Sequence, residues 1–431
     1  MTISRRALLG AGMAATAGAF GLAGCRSAGG SDESASGGSM LGVTWWGNDL
    51  RNELTAKALD AYSAGHEGVT FEPQPGEWAS YWDRLATQVA GGGAPDVIQM
   101  DEAYISEYAT RGALLDLGDS VDTSNFLSGM ESGGVVEGIT AAIPIAVSTV
   151  CFIMNPSVFE AAGVDVPDDT TWTWEEFGEI AAEVTAKSPE GTVGASTAFS
   201  NNKLLRAWLR QQGTDLFLDD GAPGYTPDLV DEYLQMVLGL QEQGALGQPT
   251  AIVEDATAAL DQSLFGTGKS GVALIAANQL SALTASTGQE LQLTRWPSMT
   301  GSAADRMAWY SSSSLWCVSA TSENSDSAIE FIDWWVNDPE CAEIVLNERG
   351  TPPNVDSAAA IEPSLDETGL AVSTFLTDLA ADLGPTPALP PPGAGSADAA
   401  LARAISDVLF EKATTTQAAQ TFVDDMASSL G

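Results

Sequence analysis

Between residues 41 and 100 the chain alternates short apolar runs with helical stripes, and that order leaves few folds open. Residues 41–46 read as a buried strand ending in Trp45 and Trp46. Leu50, Leu54, Ala58 and Tyr62 then recur every four residues, which marks one face of a helix. Residues 69–71 form a second apolar run. Trp78, Trp82, Leu85 and Val89 give the next helical stripe, closed by Gly91, Gly92 and Gly93. Pro95 leads into a third strand at 96–100. Such a strand-helix-strand-helix-strand order implies parallel strands joined by crossover helices, so the fold class is α/β.

The pattern continues. Strands are expected at 142–146, 150–154, 192–199 and 271–276, with a long extended run at 308–319. Thr173 and Glu176 make a capping box that opens a helix running to about residue 187. Further helices are expected near 202–212, 227–243, 254–265, 325–336 and 339–348. Residues 385–392 are proline-rich and read as a surface crossing, and two amphipathic helices, 397–411 and 416–430, close the chain. About 390 residues beyond the N-terminal region exceed what one core usually supports, so two domains are expected.

The formal charge is −41, and the N-terminal leader contributes two arginines and no acids. A chain this acidic repels phosphate backbones and anionic headgroups, which excludes nucleic acid as a partner. Cys151, Cys317 and Cys341 follow Cys25. Two readings stay open for them: a disulfide between Cys151 and Cys317, both in strand-like runs, or three buried, inert thiols. His66 is the single histidine and no metal spacing exists among the cysteines, so neither a metal nor a cofactor is expected.

The N-terminus carries Arg5 and Arg6, an apolar run at 7–22, then Leu22-Ala23-Gly24-Cys25. Charge, apolar core and small residues are the parts of a secretory signal, and the run is too short for a membrane span. The cysteine at the cleavage site resembles the lipobox of bacterial lipoproteins. That resemblance implies a signal peptide at 1–24, a diacylglycerol on Cys25, and anchoring at the extracellular face of the cell membrane. The arginine pair points to twin-arginine export. Residues 25–39 read as the lipidated cysteine and a flexible Gly/Ser tether, spanning on the order of 20 Å as a random coil.

Six further segments occur in an ordered series. They are Val43-Thr44-Trp45-Trp46-Gly47-Asn48; Tyr81-Trp82-Asp83-Arg84-Leu85 with GGGAPDVIQMD at 91–101; Ile143-Pro144 with Phe152-Ile153-Met154-Asn155; Ala162-Gly163-Val164 with Trp172-Thr173-Trp174-Glu175-Glu176-Phe177; Phe265 to Ala273; and the helix at 328–335 with Arg349-Gly350-Thr351-Pro352-Pro353. In that order they resemble the family 1 extracellular solute-binding proteins, the sugar-capturing components of ABC importers. The resemblance implies a two-lobed periplasmic-binding-protein-like fold of the class II type, with a hinge and an interlobe ligand cleft. It places lobe 1 at 40–146 plus 320–365 and lobe 2 at 147–319 plus 366–431. It further implies a monomer that partners the permease subunits of an ABC transporter.

In open α/β sheets ligands sit beyond the carboxyl ends of the strands. A sugar offers a C–H face to aromatics and a rim of hydroxyls to polar groups. The strand-end candidates for ligand contact are Trp45, Trp46, Asn48, Glu77, Trp78, Asp101, Asn278, Trp309, Tyr310 and Arg349. Alternation along the first strand would turn one of Trp45 and Trp46 into the core. Trp82, Trp334 and Trp335 lie on helices and belong to the core, while Trp208 stands between core and cleft. An anionic sugar would look to Arg51, Arg84, Arg295, Arg306 and Arg349. Neutral and acidic oligosaccharides both remain open, with the neutral favoured.

The expected function is therefore capture of a mono- or oligosaccharide for import, without catalysis. The alternatives are an exported carbohydrate-active enzyme and a binding protein for a polyamine or peptide. The enzyme needs an isolated carboxylate pair, and no motif among the acids singles one out.

Overall fold

A computed structural model describes residues 38–431 except 197–198; the leader, Cys25 and most of the tether lie outside the described residues. The chain opens with β1 (Ser39–Trp46), α1 (Asp49–Gly65), β2 (Val69–Gly76), α2 (Trp78–Ala90), β3 (Val97–Met100) and α3 (Glu102–Thr110). Asn48 caps α1 by accepting from the Arg51 amide, and Asp101 caps α3 by accepting from the Ala103 amide. A small hairpin follows, β4 (Val135–Val136) and β5 (Ile139–Thr140), then β6 (Ile143–Ser148) and β7 (Val150–Met154).

Next come α4 (Pro156–Ala162), α5 (Trp174–Lys187), β8 (Val193–Ala195), α6 (Asn202–Gln211), α7 (Pro227–Glu242) and α8 (Pro249–Asp255). The capping box at Thr173 and Glu176 forms as expected. The helix expected at 254–265 instead begins at Pro249, whose fixed φ suits a first helical position. It stops where the Asp255 carboxylate turns to accept from the Leu264 amide. The strand expected at 192–199 is confined to β8.

The chain continues with β9 (Ser270–Ala276), α9 (Leu280–Thr287), β10 (Gln292–Thr294) and β11 (Ser311–Val318). It ends with α10 (Ser325–Asn337), α11 (Pro339–Val345), α12 (Val355–Ile361), α13 (Glu367–Asp378), α14 (Ala397–Leu409) and α15 (Thr415–Leu430). Among the described residues, no helix is long and apolar enough to cross a membrane.

Two main sheets organise these elements, giving a two-lobed α/β fold. The first has the order β2-β1-β3-β11-β6 and the second β10-β7-β9-β8. β1 runs parallel to β2 and β3, as the alternation predicts. β11, by contrast, inserts antiparallel between β3 and β6, with Leu315 opposite both Met100 and Pro144. The resemblance places these residues in lobe 2 instead, within 147–319. The reason for the difference is burial: Leu315, Trp316, Cys317 and Val318 are all fully buried, and a strand apolar on both faces needs a sheet interior covered on both sides.

Alternation along the strands builds a core on each face of the first sheet. Leu41, Val43, Trp45, Val97, Trp316 and Val318 join Tyr62 of α1 and Phe331 and Trp335 of α10. Trp46, Ile98, Met100, Leu315 and Cys317 join Tyr81 and Leu85 of α2 and Ile105 of α3. Each such side chain contributes about 1.5–3 kcal/mol on leaving water.

β6 and β7 are separated by Thr149 alone yet belong to different sheets. The Thr149 hydroxyl donates to the Trp309 carbonyl at 2.9 Å, just before the chain enters β11. The two crossings between sheets are thereby tied side by side.

Gly194 on β8 lies so close to α5 that a Cβ there would stand 1.9 Å from the Ala181 carbonyl oxygen. Gly194→Ala should destabilise the protein by about 1–3 kcal/mol by forcing the strand off the helix. Urea denaturation measures this, and a midpoint equal to wild type would show that the strand shifts freely.

Cys151 sits in β7 and Cys317 in β11, so the two lie in different sheets; with Cys341 they are free and buried. This removes the disulfide reading. Burial pushes all three thiols well above the usual range. They should resist a water-soluble thiol reagent in the folded protein and all react in denaturant without reductant. A pair released only by reductant would restore the disulfide.

Candidate functional site

A cavity of about 700 Å³ opens between elements of the two sheets. Its volume falls in the range that encloses small ligands. One wall is the face of α3 that carries Glu102, Ser106 and Thr110 at four-residue spacing, continued by Met130, Gly133 and Val136 near the small hairpin. The opposite wall holds Arg206 of α6, the turn Asp219-Asp220-Gly221, and Trp309 and Tyr310 at the entrance to β11. The segment 386–392 closes a third side.

That proline-rich segment runs along the surface, as expected, with Pro385, Thr386 and Pro392 exposed, and there it lines the cavity. Two arginines hold it. Arg206 donates to the Ala388 carbonyl at 2.9 Å and Arg210 to the Pro385 carbonyl at 2.5 Å. Proline leaves these carbonyls without the neighbouring amides that would pair them in a ladder, so they are open to guanidinium donors. Both arginines share Asp215, through Arg206 Nε at 2.6 Å and Arg210 Nη1 at 2.7 Å. Leu389 packs against the apolar cluster of α2 and α3 on the other side. The segment is thus anchored to α6 and wedged against the first sheet's helices.

Trp309 is 5% exposed and lies against Trp296 at 5.4 Å. The guanidinium carbons of Arg206 and Arg210 stand 5.8 and 5.4 Å from its ring centroid, within cation–π range. Tyr310 donates its hydroxyl to the Leu376 carbonyl at 2.7 Å, which fixes its ring at the cavity wall. Burial pushes this phenol above its ordinary pKa. Glu102 accepts from the Ser312 amide at 2.5 Å, linking α3 to β11 beneath the cavity. Burial pushes the Asp101 and Glu102 carboxyls upward, and the positive charge of Lys203 on α6 works against that shift.

The structure distributes the sequence candidates as follows. Trp309 and Tyr310 line the cavity, and Asp101 caps α3 immediately beside Glu102. Trp46, Trp78, Trp82 and Tyr104 form an aromatic cluster at the strand ends: Trp78 is 46% exposed and edges onto Trp46 at 5.0 Å, and Trp82 stacks on Tyr104 at 3.9 Å. Asn278 accepts from the Ser148 hydroxyl at 3.3 Å near the crossing. Asn48 and Glu77 stand at the N-caps of α1 and α2, both exposed.

Three candidates lie in the core instead: Trp46, 7% exposed and packed with Tyr81, Met100 and Ile105, and with it Trp45 and Arg349. Trp45 is 1% exposed and donates its indole N–H to Asn52 at 2.8 Å. Arg349 is 5% exposed, donates to Thr55 at 2.8 Å and lies over the rings of Trp316 and Trp335. Its turn faces α1 and α10, so its cation–π partners are core tryptophans. Trp208 is also buried, against Tyr233.

Sequence reasoning missed Glu102, Arg206, Ser312, the Asp219-Asp220 turn and the 386–392 wall. Arg206 and Arg210, four residues apart and followed by Asp215, carried a readable signal: one helix face bearing two cations with an acid close behind.

Among the described residues, no group of three His, Cys, Asp or Glu is arranged to hold a metal ion. The sequence model of the bacterial extracellular solute-binding proteins matches residues 57–371. A lactose-binding protein of Rhizobium radiobacter is 23% identical over 314 residues, 71% of this chain and 72% of that protein. Among solved structures, a periplasmic solute-binding protein of Pectobacterium atrosepticum superposes with a TM-score of 0.81 at 17% identity, covering 91% of this chain and 100% of that one. A periplasmic oligogalacturonide-binding protein of Yersinia enterocolitica, in complex with saturated digalacturonic acid, gives 0.77 at 18% identity with the same coverage. With the family's sequence model matching residues 57–371, most of the folded chain, this protein belongs to the bacterial extracellular solute-binding protein family.

Proposed function

We propose that this protein captures a carbohydrate, an oligosaccharide of a few units, and delivers it to the permease of an ABC transporter. The observation that carries the reading is the cavity between the two sheets, where Trp309 and Tyr310 meet carboxylate and hydroxyl side chains. Aromatic faces suit the C–H surfaces of sugar rings, and the polar groups suit their hydroxyls. A relative named for lactose and a fold neighbour named for oligogalacturonide support the same class of ligand.

Lobe 1 in this reading comprises 40–148 with 310–365, and lobe 2 comprises 149–309 with 366–431, hinged where Thr149 meets Trp309. Ligand binding draws the lobes together because the closed state offers contacts from both walls. Asp101, Trp78 and Asn278 are further contacts in this reading. The role in this reading is binding without catalysis, in keeping with relatives named for binding lactose and oligogalacturonide. A lipid on Cys25 would hold the protein at the outer face of the membrane.

A thermal-shift screen of sugars, amino acids and polyamines tests the assignment. A ligand at a hundredfold its dissociation constant should stabilise the fold by about 2.7 kcal/mol. Trp309→Ala should weaken binding of the ligand so found by about tenfold, in line with the loss of an aromatic contact of about 1 kcal/mol or more. Stabilisation by amines or peptides alone would overturn the sugar reading, and unchanged affinity in the variant would remove Trp309 from the site.

A further inference from the structure

The charged groups around the cavity are distributed unevenly. Four carboxylates line it: Glu102 and Glu137 from the α3 side, and Asp219 and Asp220 from the α6 side. Glu137, Asp219 and Asp220 are exposed at its mouth. Arg206 is the one basic residue lining it among the described residues; its charge is paired with Asp215, and a second donor goes to the Ala388 carbonyl.

The other cations that an acidic sugar would need are engaged elsewhere. Arg51 pairs with Glu348, and Arg84 donates to the Pro75 and Gln74 carbonyls. Arg295 and Arg306 share Asp382. Arg349 lies against core tryptophans. Lys203 on α6 is not ion-paired among the described residues, but it stands in the field of three acids, Asp101, Glu102 and Asp398.

Helix N-termini can also bind anions, but the two beside the cavity are closed by the protein's own groups. Asp101 accepts from Ala103 at the start of α3. Asp398 accepts from Asn202, and Asn201 from Lys203, at the start of α6.

We infer that this cleft rejects saccharides bearing carboxylates and takes neutral or amino sugars. The inference rests on the carbohydrate reading above and narrows it. A uronate entering the cavity would face like charges on both walls, and the two cations near it, Arg206 and Lys203, already stand among acids that outnumber them.

The test is calorimetric titration of the full chain with di- and trisaccharides in matched gluco and galacto series: neutral, 2-amino and uronate. Within any series that binds, the uronate should be at least about tenfold weaker than the neutral sugar, as like charges at this range cost on the order of 1 kcal/mol. The gap should shrink as salt rises from low to physiological strength. It should shrink again in Asp219→Asn/Asp220→Asn, whose fold is checked by circular dichroism. A uronate that binds as tightly as its neutral counterpart overturns the charge rule and leaves the carbohydrate reading standing. Binding by no saccharide of any series removes the carbohydrate reading, and this inference with it.

Discussion

Asp382→Ala is expected to lower stability by about 3–5 kcal/mol, the largest effect foreseen for a single side chain here. Asp382 is 2% exposed and accepts from two guanidinium groups, Arg306 Nη1 at 2.5 Å and Arg295 Nε at 2.8 Å. Arg306 is itself 1% exposed. Removing the carboxylate strands a buried positive charge that has lost its anionic partner, and desolvation is then uncompensated. Arg295 keeps a second acid, Asp169 at 3.3 Å, so the damage should centre on Arg306. Urea denaturation followed by tryptophan fluorescence measures the loss. Replacing the pair together, Asp382→Leu with Arg306→Met, should recover much of it, because apolar side chains of similar volume need no desolvation. A single variant as stable as wild type would show that water reaches Arg306 and screens it.

Asp215→Ala is expected to act on both fold and cleft. Its carboxylate is shared by Arg206 and Arg210, and these two arginines hold the 385–392 wall through the Ala388 and Pro385 carbonyls. Burial pulls the Arg210 pKa below its ordinary value, and Asp215 works against that shift. Loss of Asp215 should therefore cost about 3 kcal/mol in stability. It should also release the wall, because each guanidinium is free to turn toward water. On the carbohydrate reading, sugar affinity should fall by about tenfold or more as the cavity loses its third side. Asp215→Glu should restore part of both properties. A variant that loses stability but keeps full affinity would show that Leu389, packed against the α2–α3 cluster, positions the wall without the arginines.

Much of the architecture was legible because local rules and tertiary burial agree. The first three strands and their two crossover helices follow from apolar periodicity, and the Thr173–Glu176 capping box fixed the start of α5. Disagreements arose where a segment's role depended on distant partners. β11 reads as an extended run, but its place between β3 and β6 depends on strands far away in sequence. The proline-rich segment reads as a surface connection and is one; that it also walls the cavity depends on Arg206 and Arg210 meeting its carbonyls.

The candidate site shows the same division. Trp309 and Tyr310, candidates just before Ser311, line the cavity. Trp45, at the end of the first strand, and Arg349, at a turn, are buried in the core. Strand position alone says that a side chain stands near a sheet end; it does not say which of two covered faces receives it. The sequence by itself determined the α/β class, the strand-helix order and the chemistry available to a ligand, because periodicity, caps and residue type are local properties. Only the tertiary structure decided which residues share the cavity, that Arg206 on its wall pairs with Asp215, and that the proline segment is a wall. Those are contacts between residues as far as 210 apart in the chain, and no local rule of pattern or propensity encodes them.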